Sequence, residues 1–391
     1  MTTPLPTGDP AMVAPTATTP GPGPRRLART TAVVGLVVAV TVGGCGVGRA
    51  PQDGGATARV DDALEARREV YGTVTWERVD TRLDEMVARR ALEGAALVVD
   101  QREGDGHVHV AGTLRLDEPL PLAETSTWLS AAVVLTLVDD GTLELDGPIG
   151  PRLPWLDGEV AEITVRQLLS HTSGLPGGLD CPEPTPEACD AALSEVSLVA
   201  PPGEAFAVTP LDAHLAARVA EAASGRSWAE LVGDRLATPV GLTATSFADP
   251  TTTGGLVGVD GTTTAEDLGR FLAMVRDGGR AGGEEVLSPA SVRAMLLDQT
   301  VRLDTHTEPW VAETGVPTYG LGVWRDRLRG ADEAAVVSAP NRWGLYPFVD
   351  DARGAWGIVV VDDHTAPRAE VVGESAVLSQ LSVAMLRRPE G

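Results

Sequence analysis

Apolar positions first recur with a helical period at Val79, Leu83, Met86 and Val87, and two short apolar runs at 95–99 and 107–111 follow with the look of a hairpin. The stretch 129–138 is apolar nearly all round and stops at Asp139, Asp140 and Gly141, which predicts a helix buried on every side and closed by Gly141. Helical patterns dominate after it. One covers 211–224 and is stopped by Gly225; a Ser227 to Glu230 capping box precedes Leu231. Thr264 leads into Leu268, Phe271, Leu272 and Val275, and Ser288-Pro289 places an N-cap and N1 residue before another helix. Strand-like runs return at 320–324, 334–337, 347–350 and 356–361, and a last helix is expected over 375–386. With strands at both ends and helices between, the ends must pair into one sheet around a helical insert.

The first 45 residues follow another rule. Asp9 is their only acid, and Arg25, Arg26 and Arg29 are their only bases. An apolar run over 32–42 comes next, then Gly43, Gly44 and Cys45, the order of a positive region, a short apolar core and small residues found in an export signal. Val42-Gly43-Gly44-Cys45 resembles a bacterial lipobox, in which the cysteine is lipidated and becomes the new N-terminus. The alternative is an uncut signal-anchor helix, for which the run is short, since a membrane span needs about 20 residues. The arginine pair weakly resembles a twin-arginine signal. Residues 46–72, rich in Gly, Ala, Asp and Arg with a weak helical pattern at 61–68, read as a tether, and the globular domain as 73–391 with a helical lobe over about 141–284. The outer face of the cytoplasmic membrane is the expected location.

Charge narrows the partners. The chain's net charge is −24, and its bases are all arginine, because its 391 residues include no lysine. Such a surface repels nucleic acid and anionic headgroups, so membrane contact is expected through the lipid alone. With Cys45 assigned to lipid, Cys181 and Cys189 remain, flanking a loop rich in Pro and Glu in DCPEPTPEAC; in an oxidising compartment a local disulfide follows, and no third ligand at metal spacing argues for zinc. His107 and His109 lie two apart on one strand face, as metal ligands do, yet without a partner cluster in the sequence they read as an exposed pair. No cofactor or metal is expected.

The run ITVRQLLSHTSGLPGG from Ile163, together with VVLTLVDDGTLELDGPIG, PGEAFAV, PVGLTATSF and YGLGVW in that order of elements, resembles the serine β-lactamase family that includes class C β-lactamases, DD-peptidases and related esterases. The resemblance covers about residues 73–390. It implies an α/β (α+β) fold, an antiparallel sheet flanked by helices with a mostly helical second lobe. It also implies chemistry from three elements: a Ser-x-x-Lys, a Tyr-x-Asn or Ser-x-Asn, and a Lys or His with Thr/Ser and Gly on a strand. Counted from LVDDG, the serine and lysine positions fall on Glu124 and Thr127; counted from Pro202-Gly203, the Tyr-x-Asn falls on Val208-Thr209-Pro210; the strand element falls within SAPNRWG. A chain without lysine holds no Ser-x-x-Lys in any register.

These positions lead to an expected pseudoenzyme that binds a ligand or partner, a cell-wall peptide, small molecule or protein, with no catalytic residues. Glu124, at a helix start whose dipole favours its charge, and Arg342 and Trp343 are the candidate ligand-binding residues. The competing readings are a hydrolase with unorthodox chemistry at Glu124, which needs a second titratable group nearby, and a purely structural module with its cleft filled by Val208, Pro210 and bulky neighbours. His171-Thr172-Ser173 reads as a structural turn rather than catalytic machinery, because a triad needs groups brought together from afar. Ser126 and Ser130 read as core packing on the buried helix, as do Trp128, Trp155 and Trp310.

Overall fold

A computed structural model describes residues 74–300, 303–306, 318–328, 334–362 and 368–386. Cys45, the tether with its pattern at 61–68, and Trp310 lie outside the described residues. The Thr75 side chain accepts the Arg78 N–H and opens helix α1 (Trp76–Arg90), whose apolar stripe buries Val79, Leu83 and Met86. Strands β1 (Gly94–Gln101) and β2 (His107–Gly112) form the expected hairpin. Helix α2 (Ser126–Asp139) has no polar face and is buried around its circumference, and Gly141, at φ 78°, turns the chain away just past its end.

The helical insert contains α3 (Pro186–Leu193) and α4 (Pro210–Ser224), followed by α5 (Ala265–Arg276) and α6 (Pro289–Leu296). Their starts are those read from the sequence: Ser227 and Glu230 cap each other reciprocally, Thr264 caps α5 and Ser288 caps α6. Strands β3 (Thr318–Tyr319), β4 (Trp324–Leu328), β5 (Ala334–Ser338), β6 (Tyr346–Asp350) and β7 (Ala355–Asp362) then precede α7 (Ala369–Met385). The main sheet is antiparallel and runs β3-β4-β5-β6-β7-β1-β2, so the N-terminal hairpin zips onto β7 from Gly94 opposite Asp362 to Gln101 opposite Ala355.

The period of two along β7 divides the core. Val359 and Val361, with Leu97 and Val99, join the side chains of α1 and α7, whereas Ile358 and Val360, with Ala96, join those of α5 and α2. Each fully buried Leu, Val or Phe of these two layers contributes about 1.5–3 kcal/mol. The sheet therefore holds α2 rigidly beneath it, and the head of α2 is where the candidate residues gather.

Three expectations need correction. Residues 320–324 are not a strand: only Trp324 belongs to one, and 320–323 form a turn against α2. A Cβ on Gly322, at φ 76°, would meet the Thr127 carbonyl oxygen at 2.7 Å, and one on Gly320 would meet the Met295 carbonyl at 2.1 Å, so both glycines serve close backbone approach rather than pairing. The last helix starts six residues earlier than expected, at Ala369. His107 and His109 are not an exposed pair. His107 Nε2 lies 2.7 Å from Asp80 Oδ1, His109 Nε2 lies 2.9 Å from Asp84 Oδ1, and Trp76 stacks on His107 at 4.0 Å. Asp80 and Asp84 are one turn apart on α1. The pairs fasten that helix to the edge strand. Among the described residues no group of three or more His, Cys, Asp or Glu is placed to hold a metal.

Cys181 and Cys189 are joined in a disulfide. Next to Cys189, Asp190 accepts from Arg218 and His214; burial alone would raise its carboxyl, but these bonds hold it below the usual carboxylate range. His214 Nδ1 accepts the Val257 N–H, which leaves its other nitrogen as the donor to Asp190. The closed loop is short, and chain-entropy arguments give such a cross-link about 2–3 kcal/mol. The Cys181→Ser/Cys189→Ser double variant is expected to lose that much stability in urea unfolding; a loss under about 0.5 kcal/mol would show that the Asp190 network alone holds this loop.

Candidate functional site

The chain enters α2 through a tight 3-10 turn, Ala123–Thr125, with Ala123 in the left-handed region at φ 43°. A non-glycine residue there is strained, and such strain gathers at functional positions. Opposite lies the turn that links β5 to β6, residues 339–345. Three side chains stitch the two together. Thr125 Oγ1 donates to the Ala339 carbonyl at 2.7 Å, and Asn341 Nδ2 donates to the carbonyls of Pro121 and Leu122 at 3.1 and 3.3 Å. Thr125 and Asn341 have no exposure, so these bonds form in a low-dielectric interior where leaving them unmade is costly. The third stitch is ionic: Arg342 grips Glu124 through Nε, at 2.5 Å from Oε1, and through Nη2, while the Arg342 backbone N–H donates to Oε2 at 3.1 Å.

A second segment closes on the same turn. Leu122 N–H donates to Gly261 O, Ser130 Oγ to Gly258 O, and Asp260 N–H to Ser126 Oγ, at 2.9, 2.7 and 3.1 Å. Ser126 and Ser130, expected only to pack, are therefore buried anchors for residues 258–261. This places Asp260, itself at φ 51°, beside Glu124. Burial lifts the Asp260 carboxyl above the ordinary carboxylate range, with the Glu124 charge adding to the rise and Arg342 opposing it.

Thr127 lies one step deeper. Its hydroxyl donates to the Glu124 carbonyl at 2.8 Å, and the Tyr319 hydroxyl bonds to it from β3. Burial pushes the Tyr319 phenol well above its usual value, the Thr127 bond working against this and the Asp212 charge with it. The phenol is thus neutral at any ordinary pH.

Behind Tyr319 stands His171, from the turn of LLSHTSGL, with its ring centroid 5.2 Å away. His171 Nδ1 pairs with Asp212 Oδ2 at 2.7 Å, and both residues are buried. The turn holds its neighbours by backbone bonds: Gly203 N–H donates to Thr172 O, Ala207 N–H to His171 O and Gly322 N–H to Leu169 O. It is the structural hub that the sequence suggested, with a His–Asp pair inside that the sequence did not. The signal was there in Asp212, an acid among the apolar positions of α4. Phe206, Tyr319 and Trp324 form a small aromatic cluster on which Val208 rests, whereas Pro210 is exposed and fills nothing. Trp343 lies beside Arg342, whose guanidinium carbon is 5.9 Å from its ring centroid.

Asp212 gives a pH test. Burial raises its carboxyl, outweighing the opposing bond from His171. A carboxyl raised in the folded state keeps its proton while the unfolded chain loses its own, so stability falls as pH rises out of the ordinary carboxylate range. Asp212→Asn is free of that decline. The melting temperature of the variant relative to the parent is expected to rise between pH 4 and pH 7 when followed by circular dichroism, and a flat or falling difference would contradict the burial account.

Comparison with known proteins agrees with this architecture. The Beta-lactamase family profile matches residues 79–374. Penicillin-binding protein 4 of Amycolatopsis lactamdurans is 30% identical over 296 residues, covering 61% of this chain and 76% of that protein. The D-alanyl-D-alanine-carboxypeptidase/endopeptidase AmpH of Escherichia coli is 29% identical over 190 residues, covering 43% of this chain and 49% of AmpH. A crystal structure of a β-lactamase-like protein from Bacteroides dorei superposes with a TM-score of 0.72 at 28% identity, over 80% of this chain and 99% of that one. The matched span runs from α1, through the hairpin, the helical insert and the late strands, into α7, and on that footing the chain belongs to the β-lactamase family.

Proposed function

We propose that this protein binds a ligand or partner at the cell envelope without covalent turnover. One observation carries the reading: the head of α2, where the family resemblance puts a nucleophilic serine, presents the Glu124 carboxylate in the grip of Arg342. Acyl transfer by this family needs a hydroxyl that can lose its proton and a neighbouring amine or phenol to receive it. Glu124 has no such hydroxyl, and Thr127, in the lysine position, is no base. With no lysine anywhere in the chain, the amine has no substitute. Tyr319 is buried, and burial holds its phenol well above its usual value, so it is neutral. Val208 and Pro210, at the positions of the tyrosine and asparagine, carry no titratable group. Losing one member of such a unit commonly costs about 10⁴–10⁶ in rate, and further losses add little.

Asp260 supports a second reading, a hydrolase that pairs Glu124 with a neighbouring acid. A carboxyl raised beside an ionised one is a pattern of acid–base pairs. Against it, Arg342 engages both oxygens of Glu124, which leaves that carboxylate poorly placed to take a proton from water.

Two reagents separate the readings. Incubation with a labelled penicillin is expected to leave the intact mass unchanged, and stoichiometric acylation would overturn the non-covalent reading. A chromogenic ester is expected to hydrolyse no faster than in buffer; turnover abolished by Glu124→Gln would favour the hydrolase.

The placement at the envelope rests on the first 45 residues, with Cys45 as the lipidated residue. Inhibiting signal peptidase II during growth is expected to leave a precursor heavier by the uncut signal, and an unchanged mass would remove Cys45 from that role.

A further inference from the structure

We propose that His214 is a proton-operated latch on residues 254–261, the segment that carries Asp260 to Glu124. The ring is wholly buried on α4, and its two nitrogens serve different elements. Nδ1 accepts the Val257 N–H at 3.0 Å, and Nε2 lies 3.2 Å from Asp190 Oδ1 on α3. Only the neutral ring serves both. A second ring proton turns Nδ1 into a donor facing a backbone N–H, which cannot accept. The proton and the Val257 bond therefore exclude each other. Histidine is the side chain that changes charge between about pH 5 and pH 8, so acidification favours the released segment.

The groups around the ring decide which of its bonds gives way. Burial alone would raise the Asp190 carboxyl, but bonds from His214 and from Arg218 Nε and Nη2 hold it below the usual carboxylate range, so it stays an anion across that interval. A charged ring gains a charge-assisted bond to that anion and keeps its place against α3. The Val257 N–H, by contrast, is left buried and facing a donor, which is costly. The other charged groups on the elements packed against α4 are already engaged: Arg218 with Glu221, Asp212 with His171, Arg166 of helix Val165–Leu169 with Asp146, and Glu230 of helix Trp228–Val232 with Ser227. Helix α2 carries no charge over 126–138.

Val257 lies three residues before Asp260. The segment's backbone is pressed onto α4 here, since a Cβ on Gly258 would meet the Ala213 carbonyl oxygen at 2.9 Å. Its other ties run to α2, from Gly258 O to Ser130 and from Asp260 N–H to Ser126. With the Val257 bond gone, Asp260 is held from the α2 side alone, and its place beside Glu124 loosens. This deepens the non-covalent reading above and rests on it for the view that Glu124 and Asp260 border a binding site; the latch itself is read without a ligand.

Hydrogen exchange of the 254–261 backbone amides tests it, followed by mass spectrometry with the disulfide intact and normalised to unstructured-peptide rates at each pH. From about pH 7.5 to about pH 5, protection in the parent is expected to fall about threefold to tenfold, the worth of one backbone hydrogen bond. His214→Asn, whose Oδ1 replaces Nδ1 as an acceptor that does not titrate, is expected to lose that fall, and His214→Gln serves if the asparagine variant folds poorly. Asp260→Asn is expected to keep it, which separates the latch from titration of Asp260 itself. Protection independent of pH in the parent, an equal fall in the His214 variant, or a fall abolished by Asp260→Asn would each overturn the latch. Penicillin acylation of the parent would sink the non-covalent reading and leave these ratios unchanged, so the two failures are distinguishable.

Discussion

The contact between the turn at the head of α2 and the turn linking β5 to β6 is the constraint on which the site depends. α2 is held by its burial, the late strands by their ladder to β1, and neither would fix Glu124 relative to Arg342 without the short bonds between them. Thr125 and Asn341 each aim a buried donor at backbone carbonyls of the facing turn. The ionic stitch then forms between side chains already brought into reach.

Beneath that contact lies a polar file of His171, Asp212, Tyr319 and Thr127, almost wholly out of water. Burial raises both the Tyr319 phenol and the Asp212 carboxyl above their usual values. The file is tied together by the His171–Asp212 and Thr127–Glu124 hydrogen bonds. Its role is to seat LLSHTSGL against Phe206 and Gly322, which joins the helical lobe to the sheet. The aromatic cluster of Phe206, Tyr319 and Trp324 completes that seat with Val208 as its cover.

Signals in the sequence are legible where the physics is local. Caps at Thr264, Ser288 and Ser227, the all-apolar α2 and the glycine stop after it need only neighbouring residues, and each is found where expected. The structure departs from the sequence expectation where a distant group sets the outcome. The turn 320–323 looked like a strand because apolar residues alternate with glycines, yet those glycines answer to the backbones of Thr127 and Met295. His107 and His109 seemed unpartnered because Asp80 and Asp84 sit on a helix that reaches them only after the hairpin folds back.

What the amino-acid order decided by itself is chemical inventory: a chain with no lysine cannot supply an amine from a lysine side chain, whatever its fold. The order of apolar periods also pointed to one sheet around a helical insert, and the resemblance carried by LLSHTSGL implied its antiparallel class. Tertiary structure alone decided the pairing of Glu124 with Arg342, the nearness of Asp260, and the His171–Asp212 bond, because each joins residues far apart in the chain. Hydrogen bonds and ion pairs act over a few ångströms, and only the folded backbone determines which distant side chains come that close.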